Sequence, residues 1–247
     1  MKYLLGLKLN CSNIAVFGEL GEFPLMLKAW VAMISFWHIL TCMADKTFAK
    51  KAVDSLMEND IKDSEWISTV RTILRKIGLE RYFVRPSLIS TEKLKEEIIK
   101  RFQENFTQEW STSLISQTGS LRFYKTFKLE FCREKYLTEV NCFQLRKLIS
   151  KFRCSDHSLE IETGRHKKLE EHERRCQMCM TDVENESHFV LKCPLYQKLR
   201  LKYFGQNLQI ADIMKCESKE ASFNLANFLS KAYSIKEYCL RMRSYFL

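Results

Sequence analysis

Four residues in the C-terminal half of the chain have types and spacing that suit metal binding. They are Cys176, Cys179, His188 and Cys193, in the pattern C-x2-C-x8-H-x4-C. Two cysteines separated by two residues can bind one metal ion from a tight turn. A histidine and a cysteine separated by four residues can complete a tetrahedron. Thiolate and imidazole ligands with no open position are typical of structural Zn2+, so the spacing predicts a structural zinc site.

Other side chains near this motif could act as ligands in its place. His157, His166 and His172 are alternative nitrogen donors, and Cys154 is an alternative thiolate. The chain has ten cysteines, so a single C-x2-C pair could also arise by chance. The histidine and the third cysteine at this spacing favour a real site. A bound metal would order a polar stretch that has little apolar core of its own.

The elements that must position this motif are predicted to be helices. Seven glycines and three prolines are few for the turns of a β-sandwich or barrel. Apolar residues instead recur at helical spacing along most of the chain, which predicts a mostly α fold. The predicted helices cover about 24–40, 47–58, 63 or 64 to 78, 90 or 91 to 116, 142–153, 194–204 and 221–247, with one or two shorter helices in 119–140.

The same patterns divide the chain into three segments. Residues 1–141 are predicted to form a helical domain, 142–205 a basic zinc-binding segment, and 206–247 C-terminal helices. Within the first segment, residues 1–22 are expected to be irregular with short strand-like pieces. Gly18 and Gly21 interrupt them.

The composition is that of a folded basic protein. Hydrophobic residues make up 46%, and 40 lysines and arginines outnumber 30 aspartates and glutamates, for a net charge of +10. A basic balance favours nucleic acid as a partner. The most apolar segment is too short for a bilayer span, and the N-terminal apolar run is too short for a signal peptide. We therefore expect no membrane partner and a nuclear or cytoplasmic location.

Residues 152–196 resemble the C-terminal zinc-binding segment of the reverse transcriptases of non-LTR (LINE-type) retrotransposons. That family shows R-F-R-x3-H-x-L-x-I-E-x-G-R, a charged linker, and then C-x2-C-x7/8-H-x4-C-P. Residues 15–25 (AVFGELGEFPL) are also similar to the Y-G-E-L-G-x-x-P-L segment that follows the polymerase core. The downstream matches are Lys151 (where Arg is usual), Phe152, Arg153, His157, Leu159, Ile161, Glu162, Gly164, Arg165, Cys176, Cys179, His188, Phe189, Cys193 and Pro194.

The resemblance implies that residues 1–141 correspond to the thumb-like or connector region after the polymerase core. Two-metal polymerase chemistry needs a carboxylate pair, which in this family is an adjacent Asp-Asp. The sequence has no adjacent Asp-Asp, and no acidic and lysine cluster of a restriction-like nuclease follows Cys193. We therefore expect neither polymerase nor nuclease activity, and a chain that starts downstream of the palm.

Basic residues lie on both sides of residues 154–164 and could contact a phosphate backbone. In the resembled family this region is thought to bind template RNA or target DNA, so RNA or DNA is the expected partner. Phe152, Phe189 and Tyr196 could stack on unpaired bases or could be core residues. The candidate nucleic-acid contacts are Arg146, Lys147, Lys151, Arg153, Arg165, Lys167, Lys168, Arg174 and Arg175.

Two other functions are compatible with the same sequence. The helical part could dock a reverse transcriptase core in trans, with the zinc site serving stability only. The chain could also be a truncated retroelement relic that folds but has no selected function. Phosphate binding weakens steeply with salt and apolar docking does not, so salt dependence separates nucleic-acid binding from docking.

Overall fold

The computed structural model describes residues 1–58, 65–116, 119–206 and 209–245. These residues are mostly α-helical and contain no β-strand, which confirms the predicted fold class. A single antiparallel bridge pairs Arg175 with Val183. No helix among the described residues combines the length and the apolar character that a bilayer span requires.

The chain forms two compact units whose bounds differ from those of the three predicted segments. Phe23–Trp110 is one unit, here called the inserted unit. Met1–Glu22 joins Ser111–Leu247 in the other, here called the enclosing unit. The first 22 residues therefore belong with the C-terminal half of the chain. Contacts between residues far apart in sequence cause this grouping, and hydropathy patterns do not register such contacts.

The inserted unit is a helical bundle with its own core. Trp37 stacks on Phe83 with ring centroids 5.1 Å apart, and Ile34, Val70 and Leu94 are buried around them. The predicted helix starts at Asp63 or Ser64 lie outside the described residues. The helices that agree closely with prediction are α3 (Met26–Thr41), α4 (Phe48–Glu58), α5 (Glu65–Lys76) and α7 (Thr91–Ser116), which continues past Trp110. The short helix α6 (Glu80–Val84) was not predicted, and α1 and α2 precede this unit.

The enclosing unit holds the predicted metal motif. Its centre is the packing of two helices, Phe143–Arg153 (α9) and Lys219–Ser244 (α13). Short 3-10 turns cover Gly119–Leu121, Tyr124–Thr126, Glu171–Glu173 and Pro194–Tyr196. The other helices are α1 (Lys2–Leu5), α2 (Asn13–Leu20), α8 (Tyr136–Glu139), α10 (Glu160–His166), α11 (Gln197–Tyr203) and α12 (Ile210–Lys215).

The prediction of an irregular segment with strand-like pieces at residues 1–22 is wrong, because these residues contain α1 and α2. Gly18 lies buried inside α2. Gly21 ends that helix in the left-handed conformation (φ 60°), and its amide donates to the carbonyl of Phe17. A Cβ at Gly21 would lie 2.2 Å from the backbone nitrogen of Arg133. This glycine ends a helix instead of separating strands.

A buried ion network connects α2 with α9. The Arg153 guanidinium donates to both carboxylate oxygens of Glu19, at 2.9–3.1 Å, and pairs with Glu134 at 2.8 Å. Tyr136 donates to Glu19 at 2.6 Å. The pKa of Arg153 is raised well above its usual range, because attraction to the two carboxylates outweighs the opposing effect of burial. This network brings residues 1–22 into the enclosing unit.

Candidate metal centre

The four residues of the predicted metal motif meet in the structure. One ligand atom from each of Cys176, Cys179, His188 and Cys193 lies within 4.8 Å of the others. The sulfur atoms of Cys176 and Cys193 are 4.0 Å apart, and Cys179 Sγ lies 3.3 Å from His188 Nε2. A tetrahedron with Zn–S bonds of ~2.3 Å needs sulfur atoms about 3.8 Å apart. The cluster therefore has the dimensions of a metal site.

A tight turn presents the first two cysteines. The Cys176 amide donates to the Asp182 carbonyl at 2.8 Å, which closes a short hairpin beside the Arg175–Val183 bridge. The Met180 amide then donates back to the Cys176 carbonyl at 2.8 Å, and Met180 takes a left-handed φ of 59°. Backbone amides of this turn also point at the Cys176 sulfur, where they favour a thiolate.

A π-helical turn, His188–Lys192, presents the other two ligands. The Cys193 amide donates to the His188 carbonyl at 2.8 Å, five residues back in the chain. In an α-helix, residues five apart point about 140° away from each other, because each residue turns the helix by about 100°. The wider π turn brings both side chains to one side. The H-x4-C pair of the sequence thus lies on an uncommon turn, and π turns occur frequently at functional sites.

Three of the four cluster residues are buried, and the sulfur of Cys176 is stabilised as a thiolate. Cys176, His188 and Cys193 are buried. The hydrogen bond between the two thiols lowers the pKa of Cys176 to about 4 and raises the pKa of Cys193. His188 Nδ1 is buried without a hydrogen-bond partner among the described residues and lies 3.8 Å from an Asp182 carboxylate oxygen. A carboxylate there would fix the imidazole whose Nε2 faces the thiols.

A second layer of charged residues supports the cluster, and sequence analysis missed it. Glu184 contacts the Cys176 sulfur at 3.9 Å and accepts from Lys236 Nζ at 2.7 Å through both carboxylate oxygens. Arg200 donates to the Cys193 carbonyl at 2.9 Å, and Arg243 donates to the Gln177 carbonyl. Helices α11 and α13 therefore fasten both halves of the motif. The sequence pattern could have indicated that Lys236 is buried, since this residue lies on the apolar face of α13.

The alternative ligands lie elsewhere. His157 is buried and contacts Glu186 at 3.1 Å through Nε2, and Arg122 pairs with the same carboxylate at 3.0 Å. Burial would raise the pKa of Glu186, but these two partners lower it to about 2. Cys154 is buried at the end of α9, where its carbonyl accepts from the Cys11 thiol. The exposed residues His166 and His172 are also outside the cluster.

The prediction that Arg153 contacts nucleic acid is corrected by the structure. Its side chain is 1% exposed, and its nitrogens are held by Glu19, Glu134 and the Met214 carbonyl. No part of this guanidinium is free to meet a phosphate. The side chain instead belongs to the core of the enclosing unit.

Four other predicted cations make contacts within the protein. Arg174 donates three hydrogen bonds to the carbonyls of Leu169 and Ile161, and Arg146 donates to two carbonyls at the start of α9. Arg165 pairs with Glu162 at 2.7 Å. Lys167 is mostly exposed and lies 3.9 Å from Glu160. These residues shape the loop before the cluster, and Lys167 is the most accessible of them.

The remaining predicted cations have no ion-pair partner among the described residues. Lys147 and Lys151 lie half-buried one turn apart on α9, Lys168 is exposed after α10, and Arg175 is exposed directly before Cys176. The described part of the chain therefore leaves cations without ion-pair partners on α9, after α10 and directly before the C-x2-C turn. Unpaired, accessible cations are the groups that can exchange solvent for phosphate.

The three aromatic residues considered for base stacking are core residues. Phe152, Phe189 and Tyr196 are fully buried. The rings of Phe189 and Tyr196 lie 4.7 Å apart, and Phe152 lies 5.9 Å from Phe189. They join the cluster region to α9 and are not available to a base.

No protein-family model, curated protein or solved structure matches this chain. The resemblance to LINE-type reverse transcriptases therefore stays a prediction that rests on the quoted motifs. The function has to be argued from the cluster and from the charges around it.

Proposed function

We propose that this chain is a non-catalytic nucleic-acid-binding protein in which structural zinc holds a basic segment in shape. The observation that carries this proposal is the cluster of Cys176, Cys179, His188 and Cys193, with all ligand atoms within 4.8 Å. Three sulfurs and one imidazole nitrogen match the preference of Zn2+. Zinc bound by four protein ligands supplies folding energy and leaves no position for a substrate.

In this proposal, one set of residues holds the metal and another set contacts the nucleic acid. The C-x2-C turn and the π turn hold the ligands, and Arg200 and Lys236 fasten these turns to α11 and α13. The free cations Lys147, Lys151, Lys168 and Arg175 are the candidates for phosphate contacts, and they are a subset of the nine predicted residues. Contacts of this type position a nucleic acid without reading its sequence.

The motif resemblance supports a role beside a reverse transcriptase core. In this proposal the chain binds template RNA or target DNA, in the nucleus or cytoplasm, and works with a polymerase core supplied in trans. It has no polymerase activity of its own, since the sequence lacks the adjacent Asp-Asp of that family.

The zinc half of the proposal is tested by the metal content of purified protein. We expect about one zinc per chain, lost in Cys179→Ser, because a three-ligand remnant binds zinc weakly. Cys42→Ser is the matched control, since Cys42 is an exposed cysteine outside the cluster. A folded wild-type chain without zinc would contradict the assignment.

The nucleic-acid half is tested by binding to labelled RNA and DNA across a salt series. Each phosphate contact contributes a slope of about −0.7 for single strands or −0.9 for duplex DNA to log K against log salt. We expect a steep slope for wild type and a shallower one after Lys147, Lys151, Lys168 and Arg175 are all changed to alanine. Absence of binding at low salt would contradict this half of the proposal.

A second candidate function is docking of the polymerase core through the inserted unit. A groove between α3 and α7 exposes Phe36 and Ile39 and is rimmed by Lys28 and Lys95. Exposed apolar patches of this type mark interaction sites. Binding of a purified polymerase core that survives high salt and is lost in Phe36→Glu would support docking. A chain that binds neither nucleic acid nor a polymerase core would fit a relic.

A further inference from the structure

The enclosing unit contains a pocket that none of the four cluster residues lines. It is a pocket of about 280 Å3, here called the α9–α10 pocket. This volume is near the lower limit for small-ligand pockets, about 300 Å3, and suits one flat ring system better than a larger ligand. The pocket is lined by Lys8, Leu148, Lys151, Asp156, His157, Ser158, Thr163 and Tyr233.

The pocket is bordered by positive charge. Lys151 has no ion-pair partner among the described residues. Lys8 Nζ lies 3.3 Å from Asp156, whose carboxylate is nearly buried and also accepts from the Lys8 amide at 2.9 Å. The one negative group of the pocket is therefore compensated by Lys8. Lys151 remains available to an anion.

The positive border continues along α9. Lys147 precedes Lys151 by one turn, so the two side chains share a face of the helix. The aliphatic part of Lys147 packs over Gly6, where a Cβ would lie only 2.6 Å from Lys147 Cγ. Glycine at that position lets α1 approach α9 and holds Lys147 beside the N-terminal segment. The phosphate backbone of a nucleic acid that contacts Lys151 can therefore also contact Lys147.

The walls of the pocket suit a nucleobase. Leu148 and Tyr233 supply apolar and aromatic surface, and the Tyr233 ring is itself supported by Phe189 at 5.2 Å. Ser158 is exposed at the pocket and its hydroxyl makes no hydrogen bond within the described residues, so it can bind a polar base edge. Since Phe152, Phe189 and Tyr196 are core residues, Tyr233 is the aromatic side chain that the pocket offers.

We propose that the α9–α10 pocket binds one unpaired nucleotide of a single-stranded nucleic acid, with its base beside Tyr233 and its phosphates on Lys151 and Lys147. This inference rests on the proposed nucleic-acid binding and adds where and in what form the strand is bound. A base in a duplex is stacked and paired and cannot enter a pocket without leaving the stack. The pocket therefore selects single strands, whether RNA or DNA.

The test is fluorescence anisotropy with the full, zinc-loaded chain and a labelled uridine oligonucleotide of about 15 nucleotides. A matched thymidine DNA and a duplex of the same length are the comparison ligands. Ser158→Trp fills the pocket from its exposed side and leaves every cation in place. We expect it to weaken binding of both single strands about tenfold and to leave the salt slope unchanged, because base stacking is lost.

Lys151→Ala tests the phosphate contact separately. We expect its salt slope to fall by about 0.7, as one phosphate contact is lost. Lys219→Ala removes an exposed lysine elsewhere in the enclosing unit and should leave both affinity and slope unchanged. Circular dichroism of each variant checks the fold. If Ser158→Trp fails to fold, crosslinking of 4-thiouridine RNA to wild type should label the peptide that contains Tyr233.

The outcomes separate this inference from the proposed function. A wild type that binds none of the three ligands contradicts the proposed function itself. A wild type that binds them, with Ser158→Trp and Lys151→Ala equal to the Lys219→Ala control, overturns the pocket alone. Loss of binding in Arg175→Ala would then place the strand beside the C-x2-C turn. Duplex bound as tightly as single strands would also overturn the pocket.

Discussion

Lys151 and Arg153 are two residues apart on the same basic helix, and burial gives them different roles. Lys151 borders an open pocket, whereas Arg153 is enclosed by Glu19 and Glu134. These two carboxylates are tolerated because Arg153 pairs with both, Lys128 also pairs with Glu134, and hydrogen bonds satisfy their oxygens. Removing one partner of a buried ion pair is costly because the other charge stays buried.

Arg153→Met should therefore destabilise the protein strongly. We expect the free energy of unfolding to fall by about 3–5 kcal/mol, because Glu19 loses its guanidinium partner in the core. Urea denaturation measures this change. Lys151→Ala is the matched control on the same helix and should change the free energy of unfolding by no more than about 0.5 kcal/mol. Equal effects of the two substitutions would contradict the buried network.

The contrast between these residues shows what a sequence can and cannot predict at this scale. The cluster of the four candidate ligands was predictable because Cys176 and Cys193 lie within one short segment and their spacing is itself the signal. The role of Arg153 was not, because its partner Glu19 is 134 residues away. A basic residue on an amphipathic helix looks the same in sequence whether it faces solvent or a buried acid.

At the level of elements, the π turn His188–Lys192 carries the geometry of the metal centre. The sequence spacing was compatible with a helix turn or a loop, and local patterns do not distinguish an α turn from a π turn. The structure contains a π turn, which brings the side chains of His188 and Cys193 to one side. We therefore expect metal binding to depend on the register of this turn.

An alanine inserted after Leu191 should abolish zinc binding. The extra residue rotates Cys193 away from His188, so the tetrahedron loses one corner. Metal content after gel filtration is the measurement. A glycine inserted after Gly205 is the control, because that exposed turn has open space around it and lies outside the motif. Retention of zinc by the Leu191 insertion would mean that the π turn is dispensable.

Helix α13 is the other element on which the cluster depends. Its Lys236 is buried and pairs with Glu184, which in turn contacts the sulfur of Cys176. We expect Lys236→Met to destabilise the protein by about 3–5 kcal/mol and to weaken zinc binding, since Glu184 would carry an uncompensated buried charge. Thermal unfolding and competition with a chelator measure these two effects.

A double variant separates charge from packing at this position. Lys236→Met combined with Glu184→Gln should recover part of the lost stability, because no unpaired charge is left in the core. Lys219→Met at the exposed start of α13 is the control and should behave as wild type. A double variant as unstable as Lys236→Met would show that packing of the lysine side chain, and not its charge, is what matters.

For the whole molecule, the division into two units predicts which residues lose structure when the metal is removed. All four ligands lie in the enclosing unit, while the inserted unit has its own core around Trp37 and Ile98. Chelation should raise amide hydrogen exchange around residues 154–196 and leave the buried helices of the inserted unit protected. Hydrogen–deuterium exchange with mass spectrometry tests this. Equal loss of protection in both units would contradict their independence.

The helical character of the whole molecule was predictable, because apolar residues recur at helical spacing in helices such as α5 (Glu65–Lys76). The division into units was not. The division depends on where residues 1–22 pack. The sequence of these residues predicts an irregular segment, whereas the structure contains α1 and α2 there. Local periodicity contains no information on which distant segment a short helix joins.

The split of the enclosing unit has a consequence for the order in which the protein is made. A ribosome delivers α2 first and α9 much later, with the entire inserted unit emerging between them. Glu19 must therefore remain without Arg153 while 134 residues are translated. The inserted unit, whose contacts are closer in the chain, can fold in that interval. We expect the inserted unit of the nascent chain to fold before residues 1–22 do, and α2 to stay exposed until α9 has been translated.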